Sequence, residues 1–473
     1  MYLGIDCGTQ GTKALLLDAT SGRVLGQGSA SHELISGPNG RREQDTEQWI
    51  SAFEKATAAA LAEAGVDGSR ILGIGVSGQQ HGLVTLDADG KVLRPAKLWC
   101  DTESANENQR LLDWLGGEQG SLERLGVVIA PGYTVSKLLW MKEQHPALFE
   151  RIAHVLLPHD FLNYWLTGRC SSEYGDASGT GYFNVRTRKW DFRILRHIDP
   201  GGRIEAALPE LIESDRPIGP LRPELAKRLG LNPQAIVSSG GGDNMMGAIG
   251  TGNISSGAIT MSLGTSGTLY AFTDQPRISP QLDLEQFNAL AAEAPIGAEG
   301  VTMLPFLNGE RVPALPQATA TLHGLTADNF TRSNLCRAVI EGVTFGLRYG
   351  LDLLRDSGIR SERIQLIGGG AKSTLWRQMV ADMMATPVVC TTHSEAAALG
   401  GAIQAAWCHA RQIDPQASLA TLCERCVSVD ESTAVVPSAG AVDAYEQAYR
   451  RYRRLITDTY RQQTPPGLST VAP

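Results

Sequence analysis

A short glycine and threonine turn occurs twice in this chain: Gly8-Thr9-Gln10-Gly11-Thr12 near the start recurs as Gly264-Thr265-Ser266-Gly267-Thr268 past the middle. Each copy lies between two apolar, strand-like runs, so residues 1–17 and 258–272 read as corresponding hairpins that open two related domains. Chance similarity is the alternative for so short a match. Length points the same way, because 473 residues exceed the size at which one hydrophobic core keeps growing, and two domains with a cleft between them are expected. Strand-like and helical runs alternate as in α/β folds. Residues 3–18 predict two strands around a glycine turn, 46–64 an amphipathic helix, 71–76 a buried strand, and 364–367 a strand that leads through 368–373 into a helix over 374–384. A small-residue stretch at 247–256 suits a hinge, which gives domains at 1–247 and 248–465 and a frayed tail at 466–473.

Composition narrows the function. A net charge of −8 disfavours a nucleic-acid binder, which needs a basic face for phosphates. No apolar run reaches membrane-spanning length, and the strand-like Tyr2-Leu3-Gly4-Ile5 stands where a leader would have a basic segment, so a cytoplasmic protein with small-molecule partners is expected. The 8 cysteines are scattered singly except for Cys423 and Cys426, which is neither a disulfide framework nor a zinc site and reads as reduced thiols.

Two glycine and threonine turns, one per domain, can grip a polyphosphate. Glycine lets the backbone come close, consecutive N–H groups form an anion nest, and the hydroxyls of Thr9, Thr12 and Thr265 add donors around Gly8, Gln10 and Gly264. Two plain hairpins are the alternative. Asp6 ends the first strand just before its turn and could hold Mg²⁺ through water or merely cap the turn. Lys13 could pair with a phosphate or lie on the strand surface. Gly368-Gly369-Gly370 leaves a slot for a flat ring, and the following Ala371-Lys372-Ser373 lacks the third glycine of a dinucleotide fingerprint. In Val237-Ser238-Ser239-Gly240-Gly241-Gly242-Asp243-Asn244 a strand runs into three glycines and then delivers a single carboxylate. Phosphoryl transfer needs positioning, charge neutralisation and one acid to accept the attacking hydroxyl's proton, a role that suits Asp243, although an Asx turn would use the same residue. Gly78-Gln79-Gln80-His81-Gly82 offers Gln80 and His81 to sugar hydroxyls at a strand end, where a histidine can also be purely structural. Leu98-Trp99-Cys100-Asp101 offers an aromatic face and an acid, or a core tryptophan.

Taken together these residues resemble the FGGY carbohydrate kinases, a family with the duplicated ribonuclease H-like fold shared with actin and hexokinase. The resemblance covers almost the whole chain. Gly132-Tyr133-Thr134-Val135-Ser136-Lys137-Leu138-Leu139-Trp140-Met141 is similar to the family's first signature, and Gly324-Leu325 through 334–342 to its second. Residues 43–45, 78–82, 156–162 and 176–180 resemble the xylulokinase members; glycerol kinases carry an arginine and glutamate pair where His81 stands. The resemblance implies two ribonuclease H-like α/β domains flanking a catalytic cleft and transfer from ATP to D-xylulose. Asp243 would be the base, Gln80, His81, Asp101 and Asn244 would surround the ketose, and Asp6 would hold Mg²⁺. By the same carry-over Gly8, Thr9, Gly264 and Thr265 would cradle phosphates, and Gly369, Gly370 and Ala371 would face the nucleoside. A kinase for another ketose or polyol such as ribulose, a non-catalytic sugar sensor and an actin-type ATPase are the alternatives; a homodimer is compatible with any of them. One segment departs from the pattern. After Arg277-Ile278-Ser279-Pro280 the family continues with roughly thirty residues of core strands, whereas here Gln281-Leu282-Asp283-Leu284-Glu285 follows at once. Loss of such strands would open a sheet edge at a cost beyond ordinary marginal stability, so an intact mass above 50.7 kDa is expected, and a measured 50.7 kDa would refute that.

Overall fold

A computed structural model describes residues 1–255, 258–263, 267–271, 293–306, 313, 315, 318–393 and 395–460. The chain forms two compact units, one from Met1–Gly252 with Glu395–Val427 and one from the described residues of Asn253–Ser394 and Ser428–Pro473.

In the first unit the strands β1 (Tyr2–Cys7), β2 (Gly11–Asp18), β3 (Arg23–Ser31), β4 (Gly73–Gly78), β5 (Pro217–Pro220) and β6 (Ile236–Ser238) form a sheet in the order β5-β6-β4-β1-β2-β3. β1 pairs antiparallel with β2 and parallel with β4, a register that sets Asp6 between Lys13 and Ser77. The second unit repeats this core: β7 (Ala258–Leu263) pairs antiparallel with β8 (Gly267–Ala271) and parallel with β9 (Arg363–Ile367), and β10 (Val388–Thr391) and β11 (Val429–Val435) extend the sheet. The duplicated hairpins expected from the repeat are therefore present, although residues 264–266 of the second turn lie outside the described residues, as do 281–285.

Local chemistry explains the flanking helices. α1 (Thr46–Ala64) starts where the Asp45 carboxylate accepts from the Glu47 N–H and stops at Gly65 in the left-handed region; Trp49, Phe53, Ala56 and Ala60, spaced three or four apart, bury one stripe with Leu3, Ile5 and Val76 of the sheet. α8 (Ala396–Ile413) presents Ala and Gly to the same unit so closely that a Cβ on Gly4 would lie 1.8 Å from the Ala398 carbonyl oxygen. Four further helices carry site residues: α2 (Thr134–Gln144), α3 (Pro158–Thr167), the single turn α4 (Tyr174–Ala177) and α5 (Asp243–Gly250). In the second unit α6 (Arg332–Asp356), α7 (Thr374–Met384) and α9 (Ala439–Thr459) enclose a core that includes Phe345, Leu366, Trp376, Tyr445 and Tyr452.

Two readings need correction. Residues 247–250 are not a hinge loop but the end of α5, and their small size serves a helix contact, with a Cβ on Gly250 falling 1.8 Å from the Ala396 carbonyl oxygen. By packing, Glu395–Val427 joins the first unit, so one cut at 247 with 248–465 as the second domain does not describe compactness. The two glycines of α5 make a clean comparison. Gly250→Ala is expected to lower stability by about 3 kcal/mol through backbone overlap. Gly247→Ala, with nothing within 4 Å of its added Cβ, should be neutral or stabilising by about 0.5–1 kcal/mol. Thermal unfolding of the two variants checks both signs.

Candidate active site

The strand ends of the first unit gather the predicted polar residues. β6 leads into Gly240, whose φ of +67° needs glycine, and Gly241–Gly242 then pairs with Ser77–Gly78 before Asp243 opens α5. This loop is bolted by a residue the sequence reading missed. The buried Gln404 amide of α8 accepts from Gly240 N at 2.9 Å and from Ser238 Oγ at 2.9 Å, and donates to Gly240 O at 3.0 Å and Ser239 Oγ at 2.7 Å. Asn163 of α3 donates to Ser239 O at 2.8 Å. Asp243 is thus a partly exposed carboxylate on a fixed loop. Burial, then the negative charges of Asp6 and Asp176, push its pKa up to about 7.

Beside it, Asn244 Nδ2 donates to Gln80 Oε1 at 2.7 Å, so Gln80, Asn244 and Asp243 stand together. His81 is held at every side. It takes φ +60°, a left-handed conformation costly for a non-glycine residue; its carbonyl accepts from Lys137 Nζ at 2.7 Å and Thr134 Oγ1 at 3.2 Å. Its ring stacks on Tyr133 at 4.6 Å, and its Nδ1 meets the Gly179 carbonyl at 2.8 Å. Tyr133 and Lys137 fall inside the first signature but had been given no role; a strained histidine and its restraints cannot be read from spacing alone.

Asp6 accepts from Ser77 Oγ at 3.1 Å, and burial pushes its pKa up to about 6 against the pull of Lys13. The adjoining turn closes with Gly8 N on Gly11 O at 3.1 Å. Its threonines, however, point elsewhere than expected. Thr12 is buried, with Oγ1 at 2.8 Å from His32 Nε2. Thr9 Oγ1 donates to Gln79 Oε1 at 3.3 Å and accepts from Trp99 Nε1 at 3.0 Å, while Gln44 Nε2 holds the Thr9 carbonyl at 2.7 Å. The turn therefore offers backbone N–H groups more readily than hydroxyls, with exposed Gln10 at its tip. Lys13, about half exposed, forms an ion pair with Glu395 at 2.5 Å.

Asp101 is not with the other sugar candidates in its bonding. It is fully buried, with Oδ2 accepting from Lys97 Nζ at 2.9 Å and Arg42 N at 2.8 Å, and Oδ1 accepting from Glu103 N at 3.0 Å. In the second unit Gly368 takes φ +86° and the short turn Gly369–Lys372 places Gly370 and Ala371 at the head of α7; Gly264 and Thr265 lie outside the described residues. Among the described residues the one grouping of three potential metal ligands is Glu43, Asp101 and Glu103, and the Lys97 ammonium already pairs with all three. Asp6 instead offers one hard carboxylate beside a phosphate-type turn, which is how Mg²⁺ is commonly held when phosphates and water supply its other ligands.

Comparison with known proteins gives this geometry its context. The family model described as "FGGY family of carbohydrate kinases, N-terminal domain" matches residues 1–250, and the corresponding C-terminal domain model matches 271–409. Xylulose kinase of Haemophilus influenzae is 48% identical over 498 aligned positions, covering 97% of this chain and 100% of that protein. Xylulose kinase of Streptomyces rubiginosus is 36% identical, covering 97% and 96%. The crystal structure of a xylulose kinase from Brucella ovis superposes with a TM-score of 0.84 at 30% identity, covering 98% of this chain and 100% of that one.

Proposed function

Because this chain belongs to the FGGY family of carbohydrate kinases, we infer that it moves the terminal phosphoryl group of ATP to free D-xylulose, giving D-xylulose 5-phosphate and ADP. The observation that carries this reading is the grouping of Asp243 and Asn244, which follow a fixed loop, with Gln80, to which Asn244 donates, beside Asp6. In this reading Gln80, His81 and Asn244 hold the ketose by its hydroxyls. Asp243 accepts the proton of the attacking hydroxyl as that oxygen bonds to the terminal phosphorus and the bond to ADP breaks; the proton then passes to solvent. The backbone of Gly8–Gly11 receives phosphate oxygens. Asp6 would hold Mg²⁺, which when bound draws charge from the phosphates. The proposed compartment is the cytoplasm, in keeping with 8 cysteines that are all free.

A base works ionised, and burial favours the neutral acid, so the raised pKa of Asp243 places its working form above about 7. The value of kcat/KM for sugar is expected to fall about tenfold per pH unit below that point. A profile flat down to pH 5 would contradict the assignment. Substrate identity is tested by coupled ADP release with Mg-ATP against free pentuloses and polyols. D-xylulose should give the highest kcat/KM; a higher value for ribulose or glycerol would move the substrate.

A further inference from the structure

Behind the sugar-site residues lies a buried pair that the reaction itself does not use. His159, in the first turn of α3, and Asp176, in α4, are both fully buried, and His159 Nδ1 stands 2.5 Å from Asp176 Oδ2. The second imidazole nitrogen lies 3.0 Å from Asp160 Oδ1, within ion-pair range but not aligned as a hydrogen bond. His159 also backs directly onto the strand that carries the sugar residues, since a Cβ on Gly78 would lie 2.9 Å from His159 Cβ. Glu173 caps the same turn, accepting from Gly175 N at 2.7 Å and Asp176 N at 2.5 Å.

The turn held in this way ends at the sugar site. Gly179 N donates to Asp176 O at 3.0 Å, and the Gly179 carbonyl faces His81 Nδ1 at 2.8 Å. A neutral imidazole that donates from Nδ1 keeps its lone pair on Nε2, so the position of one carbonyl selects both the tautomer and the orientation of the ring. Gly179 has no room to adapt, because an added Cβ would lie 2.2 Å from His81 Nδ1. Gln80 also lies beside the Asp176 carboxylate and favours its charged form, while burial pushes the Asp176 pKa up to about 8.

We propose that Asp176, clamped by His159, is a positioning residue of the sugar site: by fixing the turn from Asp176 to Gly179 it sets the ring orientation and tautomer of His81, and through them the affinity for the sugar. A pair that served only to hold the fold together would affect nucleotide and sugar kinetics alike. A positioning pair acts on the sugar alone, and most of its effect disappears when His81 is absent. The inference rests on the assignment of His81 to the sugar, so one readout is chosen that needs no substrate.

The experiment compares Asp176→Asn, His159→Gln and His159→Asn in the full chain. His159→Gln removes the donor at the Nδ1 position, whereas the Asn amide can replace it. Asp176→Asn and His159→Gln are expected to raise KM for D-xylulose about tenfold with KM for ATP unchanged, and His159→Asn should recover most of the loss. In a His81→Ala background Asp176→Asn should raise KM by no more than about twofold. Nitrogen-15 NMR of the ligand-free protein should show His81 as the Nδ1–H tautomer, with that preference lost in Asp176→Asn. Equal rises in both KM values, additivity with His81→Ala, or a His81 tautomer unchanged in Asp176→Asn would overturn the proposal. Native protein that phosphorylates no sugar while its His81 tautomer responds to Asp176→Asn would instead count against the kinase reading.

Discussion

Replacing Asp243 with alanine is expected to lower kcat for sugar phosphorylation by about 10²–10⁴-fold while leaving the dissociation constant for D-xylulose within about threefold. The asymmetry follows from the structure. The Gly240–Gly242 loop is fixed by Gln404 and Asn163, so removing the carboxylate leaves Asn244 on Gln80, and the hydroxyl-binding groups keep their places. On the proposed mechanism, what disappears is the acceptor for the proton of the attacking hydroxyl, a contribution made only as the bond to phosphorus forms. Asp243→Asn, which keeps shape but cannot accept that proton, should be nearly as slow. Calorimetric titration with D-xylulose beside steady-state kinetics checks both halves. Retention of kcat within tenfold in either variant would remove Asp243 from the role of base.

The second large effect concerns stability. Lys97, fully buried, donates to Asp101 Oδ2 at 2.9 Å, Glu103 Oε2 at 2.7 Å and Glu43 Oε1 at 3.3 Å, and its ammonium lies 3.9 Å from the centre of the Trp140 ring. Arg94 and Arg41 add charge at Glu43, and although burial alone would raise the Glu43 pKa, these cations hold it below the usual carboxylate range. Lys97→Met keeps much of the volume but strips the central cation from three carboxylates, of which Glu43 and Asp101 are fully buried. A loss of about 3–5 kcal/mol is expected, which lowers the unfolding midpoint of this unit by about 10 °C. A midpoint within about 2 °C of native at neutral pH would show that the cluster contributes little.

The two hairpins and the helices over 46–64 and 374–384 were legible because glycine turns, an Asp cap and a 3.6-residue apolar stripe are local signals. Gln80 and Asn244, 164 residues apart in sequence, are joined by a hydrogen bond of 2.7 Å. What sequence could not give is the direction of a short polar side chain. Thr9 and Thr12 were read as donors to phosphate, yet Trp99, Gln79 and His32, distant in sequence, claim their hydroxyls. Asp101 sits beside Trp99 in sequence, and only the pairing of Glu43 with Lys97 across two strands shows that it belongs to an ion cluster. The small residues of 247–250 carry the same signal for a hinge and for close helix packing, and only the approach of α8 distinguishes the two.

The most direct test of the central claim is product analysis of one reaction containing the native protein, Mg-ATP and free D-xylulose, with ADP and sugar phosphate counted together by phosphorus-31 NMR. The account predicts one D-xylulose 5-phosphate for each ADP formed, with both products formed at least about a hundredfold more slowly when Asp243→Ala replaces the native protein. ADP formed without a phosphorylated sugar, or sugar bound with no transfer at all, would contradict it.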